Sequence, residues 1–162
     1  GVAQAHLLTE TLRPLGMRII YSSPLQRALQ TAEIIGRELH IPVIVNNDLI
    51  EGNFGINEGQ YHKDIILTEE YKNWRNLDAE YIHFRFEGGE SKYEIMQRMF
   101  AAVSALLETP EEVIGISSHS AAIRCLMLQF GLKMKRLENG ALLRLTYNDG
   151  TWGVEEICDD SE

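Results

Sequence analysis

The sequence predicts a single α/β domain, on three observations. A short apolar run, Met17 to Tyr21, passes through Ser22, Ser23 and Pro24 into a helical pattern. The same order recurs where Val113 to Ile116 passes through Ser-Ser-His-Ser into a second helical pattern. Helical segments separate the strand candidates, which is the alternation that builds α/β sheets. At 162 residues, 44% of them apolar, the chain is large enough for one core and too short for two domains.

The elements follow in order. Ala5, Leu8 and Leu12 recur at helical spacing within Ala3 to Leu12, and Pro14 and Gly16 then stop the helix. Met17 to Tyr21 reads as a buried strand. Ser22 and Ser23 supply a capping hydroxyl and Pro24 suits a first helical turn, so the strand feeds directly into a helix. From Leu25 the apolar residues Ala28, Leu29, Ala32, Ile35 and Leu39 mark one buried face of a helix, and Arg27 lies off that stripe. Ile41 to Val45 is a short β-branched strand. Asn46 to Gly59, rich in Asn and Gly, reads as a loop, and Asp64 to Trp74 as a helix. Leu77 to Glu87 has no clean period. Ser91 followed by Glu94 is a capping box, opening a helix whose apolar face is Met96, Met99, Phe100, Val103, Leu106 and Leu107. Val113 to Ile116 reads as a second buried strand, followed by a helix from Ala121 to Phe130 closed by Gly131. Leu142 to Tyr147 and Trp152 to Ile157 flank Asn-Asp-Gly, a hairpin signature.

Composition narrows the partners. A formal net charge of -9 repels nucleic acid and anionic membrane surfaces, so an anionic ligand needs a local site. No apolar run approaches the roughly 20 residues that span a bilayer, and the sequence reads as soluble and cytoplasmic. Cys125 and Cys158 have no metal spacing and read as reduced thiols.

In α/β domains ligands gather at the carboxyl ends of strands, where helix N-termini direct unpaired N–H groups outward. Arg27 falls in the first turn of one such helix, where a guanidinium can grip two phosphate oxygens. His119 falls at the end of the second strand, immediately before a helix. Taken singly, Arg27 also reads as an exposed helix residue, His119 as a structural histidine, and Glu51 as a solvated loop carboxylate.

The joint pattern resembles the histidine-phosphatase or phosphoglycerate-mutase superfamily. Its GxxQA is matched by Gly1, Gln4 and Ala5, and its SSPLxRAxQTA by Ser22 through Ala32. Its LxExxFGxxEG is matched by Leu49, Glu51, Phe54, Gly55, Glu58 and Gly59. Its GGES is matched by Gly88 through Ser91, and its SHxxxIR by Ser118, His119, Ile123 and Arg124. The agreement of all these segments in order is far more specific than any one of them. The resemblance implies a three-layer α/β/α sandwich with a mostly parallel sheet. It further implies that Arg27 clamps phosphate and that His119 donates to the phosphoryl oxygens as charge develops in transfer. Glu51 would be the general acid that protonates the leaving oxygen. Backbone donors around Ser22, Ser23 and Ser120 would help bind phosphate, with Ser23 read as a helix cap and Glu90 as structural. No metal or organic cofactor is implied, and the partner is a phosphorylated small molecule.

Two departures qualify the match. Ser120 stands where relatives usually carry glycine. The family's RHG motif, which supplies the nucleophilic histidine and a further arginine on a first strand, occurs nowhere here; His6, His40, His62 and His83 read as surface residues. The resemblance therefore implies an N-terminally incomplete domain over residues 1–162, its first strand lying upstream of Gly1, and an exposed sheet that favours self-association. The leading function is a phosphatase working through a phosphohistidine. The alternatives are a phosphoglycerate mutase, disfavoured by the short separation between Glu51 and His119, and a phosphate-binding module without turnover. Tyr81 to Ser91 reads as a lid or pocket wall in which Arg85 meets a second anion or is plain surface.

Overall fold

The computed structural model describes residues 1–58, 68–134, 137 and 140–157. Helix α1 (Val2–Leu12) turns Ala5, Thr9 and Leu12 inward, three and four residues apart, onto one face. Strand β1 (Ile19–Ser22) leads into α2 (Gln26–Leu39), whose buried side is Ala28, Ala32, Ile35 and Gly36. Pro24 precedes this helix instead of entering its first turn, because the Ser23 hydroxyl accepts the Leu25 N–H and makes Ser-Pro-Leu a turn of its own. Strand β2 (Val43–Val45) follows α2.

The predicted loop from Asn46 is an irregular segment with short 3-10 turns at Asn47–Leu49 and Gly55–Asn57; its Gly59 lies outside the described residues. Helix α3 (Glu69–Arg75) is capped by Thr68 and buries Trp74. It begins later than the expected Asp64, and residues 64–67 lie outside the described set. The stretch with no readable period, Leu77 to Glu87, holds only a 3-10 turn at Ala79–Tyr81, and is fastened instead by Phe86, buried and stacked on Trp74.

Helix α4 (Lys92–Ala105) starts on the predicted capping box: the Ser91 hydroxyl accepts the Glu94 N–H, and the Glu94 carboxylate accepts the Ser91 N–H. Strand β3 (Ile114–Ser117) runs into α5 (Ser120–Leu128). The chain continues to an antiparallel hairpin, β4 (Leu142–Asn148) and β5 (Thr151–Ile157). Its turn residues Asp149 and Gly150 both adopt positive φ, 50° and 83°, which is what a two-residue hairpin turn demands.

Strands β2, β1 and β3 form a parallel sheet in that order. Strand alternation sorts the side chains between two cores. Ile20 packs with Leu12, Met17, Ala32 and Ile35 beneath α1 and α2, whereas Tyr21 packs toward Met99, Leu126 and Met127 of α4 and α5. Helices therefore cover both faces, as the α/β/α expectation requires. β3 was expected to be buried but is only half-buried, with Ile116 38% exposed. Among the described residues β3 pairs with β1 alone, and β4 with β5 alone. The register Tyr21↔Ile116 and the bond from the Ser23 N–H to the Ser117 carbonyl turn the peptide groups of Ser117 toward β1 and those of Ile116 away.

Candidate active site

Parallel pairing brings the carboxyl ends of β1 and β3 level, Ser22 opposite Ser117. The next residues on each strand therefore meet: His119 Nε2 lies 2.8 Å from Ser23 Oγ. Ser23 is fully buried, and its N–H donates to the Ser117 carbonyl. The expectation of a free backbone donor at Ser23 is corrected accordingly, because that N–H belongs to the sheet, and its hydroxyl orients the histidine instead of capping the helix. When Nε2 accepts the serine proton, the ring proton sits on Nδ1 and is left to serve a ligand.

His119 is the N-cap of α5, extended at φ -134°. Burial pushes its imidazole below the ordinary 6.5; the nearby Glu51 carboxylate opposes this shift and the nearby Arg27 guanidinium reinforces it. Both predicted partners thus act on one ring. Arg27 is the second residue of α2 and its side chain is exposed.

Glu51 is not the solvated loop carboxylate that its context allows. Oε1 accepts the N–H groups of Gly52 at 2.9 Å and Ala122 at 2.8 Å, and Oε2 accepts that of Ala121 at 3.3 Å. Two of these donors belong to the first turn of α5, so Glu51 already fills the anion-attracting end of that helix. Ser120 turns its hydroxyl to the Leu137 carbonyl at 3.5 Å, and Arg124 Nε donates to the Met134 carbonyl at 3.3 Å. The Ser118 hydroxyl bonds the Leu49 carbonyl at 2.7 Å, tying the histidine turn to the loop that carries Glu51.

That loop is held by a residue the sequence reading passed over. Arg98 of α4 forks onto Glu90, Nε to Oε2 and Nη2 to Oε1, both at 3.0 Å. Nη1 also donates to the carbonyls of Asp48 at 2.6 Å and Ile50 at 2.9 Å, and Nη2 to that of Glu51 at 3.5 Å. Glu90 reaches the other side of Glu51, accepting the Asn53 N–H at 2.9 Å through Oε1 and donating its own N–H to the Asn53 carbonyl at 2.7 Å. The signal in the sequence was an arginine off the apolar stripe of its helix, eight residues after the Glu of GGES. The two glycine turns interlock here: the Ile56 N–H donates to the Glu87 carbonyl, and a Cβ on Gly89 would stand 2.6 Å from the Asn53 oxygen.

The other candidates fall elsewhere. His6 pairs with Glu38, His40 ends α2 in the left-handed region at φ 58°, and the His83 ring lies 4.7 Å from that of Tyr93. His62 lies outside the described residues. Arg85 forms an exposed ion pair with Glu94 at 3.0 Å. An open groove of about 750 Å³ is lined by Ala3, His6, Leu7, Glu10, Arg13 and Glu38. It lies at the far end of α2, ~16 Å along the helix from Arg27, and takes no part in this chemistry.

With this geometry in place, the relatives are informative. A profile of the histidine phosphatase superfamily (branch 1) matches residues 1–160. The chain is 33% identical over 160 residues to the "Probable phosphoglycerate mutase GpmB" of Yersinia pestis (strain Pestoides F), covering 94% of this chain and 74% of that one. In fold it is similar to Bacillus stearothermophilus YhfR, with a TM-score of 0.82, 24% identity and coverage of 96% and 81%. It is likewise similar to a mycobacterial glucosyl-3-phosphoglycerate phosphatase complexed with VO3, with a TM-score of 0.80, 21% identity and coverage of 100% and 85%. The alpha-ribazole phosphatase from Shigella flexneri gives a TM-score of 0.77 at 23% identity, with coverage of 96% and 80%. The sequence motifs, the level strand tips and the matched profile agree: the chain belongs to branch 1 of the histidine phosphatase superfamily.

Proposed function

We propose that the protein hydrolyses phosphate monoesters of small molecules through a phosphohistidine, with Arg27 and His119 holding the phosphoryl group and Glu51 moving the proton. The observation that carries this reading is the placement of Arg27 and His119 just past the adjoining ends of β1 and β3, with the Glu51 carboxylate on the first turn of the helix that His119 opens. A histidine nitrogen attacks phosphorus, the bond to the ester oxygen breaks, and that oxygen leaves with the electron pair and takes a proton from Glu51. Water then attacks phosphorus, the P–N bond breaks, and the Glu51 carboxylate takes the proton that water gives up. Oε2, with its one long contact of 3.3 Å, is the oxygen open to carry that proton. No Arg-His-Gly occurs among the 162 residues, and the proposal assigns the nucleophile to none of them.

A second reading, transfer between hydroxyls of a phosphoglycerate, is favoured by the name of the 33% identical relative. The two are separated by the fate of the phosphate. The test is phosphate release from p-nitrophenyl phosphate by these residues and by a version extended through the upstream reading frame, followed by His119→Ala in the active form. Turnover in the extended version, lowered about 100-fold or more in the variant, is the expected result, given what single oxyanion donors contribute. Near-normal turnover in His119→Ala would remove its assigned role. Silence in both forms with retained phosphate binding would make the protein a binding module instead.

A further inference from the structure

We propose that Arg98, braced by Glu90, is the positioning residue that sets where the Glu51 carboxylate stands. The proposal deepens the acid role given to Glu51 above and rests on it. Glu51 sits in an irregular segment, with no strand or helix of its own to fix it. Its carboxylate must nevertheless meet the N-terminus of α5, some 70 residues later in the chain. The Arg98 guanidinium supplies the missing frame. It takes three carbonyls on the approach to the acid, those of Asp48, Ile50 and Glu51, and two oxygens of Glu90. Glu90 in turn takes the N–H and the carbonyl of Asn53, just beyond the acid. One flank of Glu51 is thus tied to α4 through Arg98, and the other to Glu90 just before that helix, which Arg98 also holds.

The chemistry of the side chain matters more than its charge. A planar guanidinium can fork onto a carboxylate while still donating to carbonyls on its other edge, which a lysine ammonium cannot do with the same geometry. The ion pair is 18% and 24% exposed in its two side chains, and is therefore only partly screened by solvent.

The test compares Arg98→Lys and Glu90→Gln with wild type in two measurements. By NMR on the 162-residue chain, the Ala121 and Ala122 amide signals report their bonds to Glu51, with Glu51→Gln as reference. Arg98→Lys is expected to move them toward their positions in Glu51→Gln, and Glu90→Gln, which leaves the carbonyl contacts of Arg98, to move them less in the same direction. If both signals stay at their wild-type positions while those of Asp48 to Asn53 change, the clamp is merely structural and the proposal fails. In the catalytically active form, Arg98→Lys should lower kcat on an alkyl phosphate about 10- to 100-fold more than on p-nitrophenyl phosphate, with KM little changed, as a misplaced acid would. Equal losses on both substrates in Arg98→Lys, beside unequal losses in Glu51→Gln, would overturn the positioning role. Equal losses in Glu51→Gln itself would instead sink the acid reading of Glu51 and leave positioning to the NMR result.

Discussion

Gly55 shows how much a single residue can fix. It adopts φ 58°, in the left-handed region, and a Cβ there would run onto the Glu87 carbonyl oxygen and stand 2.6 Å from the Gly89 nitrogen. Neither neighbour is a flexible side chain, so nothing can move aside cheaply. Gly55→Ala should therefore cost at least ~2 kcal/mol of unfolding free energy, from the backbone strain together with the overlap. Denaturant unfolding measures this directly, and a loss within a few tenths of a kcal/mol would show that the two turns are not locked together. The sequence displayed FGxxEG and GGES as separate motifs; that they grip each other is a contact across 34 residues and has no local signature. The positions of Arg27 and His119 past two strand ends were legible because each follows a strand in a short, ordered pattern. The use of Glu51 to fill the α5 terminus was not, because it depends on where a loop without periodicity ends up.

Among the elements, α3 and α4 are joined by an unexpected device. Lys92, the first residue of α4, is fully buried, and its Nζ donates to the carbonyl of Trp74 at 2.6 Å and that of Asn73 at 3.4 Å, 5.2 Å from the Trp74 ring centroid. A cation here serves the Trp74 carbonyl at the carboxyl end of α3 and adds to that of Asn73, which also accepts the Asn76 N–H. Burial pushes the Lys92 ammonium down to about 8, from 10.5. Between those values the unfolded chain binds more protons at this position than the folded one, so the contribution of Lys92 to stability rises with pH across that window. Lys92→Met lacks this titration. The stability difference between wild type and variant should therefore shift in favour of wild type from about pH 8 to about pH 10.5, as read by paired unfolding curves. A difference that does not vary with pH would contradict the buried, titrating lysine. The capping box of α4 was legible without any hint of this, since a lysine beside a cap ordinarily reaches solvent.

At the scale of the whole molecule, the sheet has an interior and an open side. Among the described strands only β1 has neighbours on both edges, and no described helix is long and apolar enough to cross a membrane. The register directs the Ser117 amide to β1 and the Ile116 amide outward. Hydrogen exchange on these 162 residues should accordingly leave Ser117 slow and Ile116 fast. Equal protection would require an unrecognised partner along that edge. In a version extended upstream, new protection at Ile116 would report an added strand. The α/β architecture was legible because each strand–turn–helix unit is written in contiguous residues. The half-exposed state of β3 was not, because the run Val113 to Ile116 reads as buried whichever edges it pairs.

The knot of backbone at residues 53–55 and 87–90 closes a noose in the chain, with Glu51 just outside its neck. The chain departs after Gly55 and is back by Glu87, so the backbone bonds at this closure, together with the core contacts of Trp74 and Phe86, hold both ends beside Glu51.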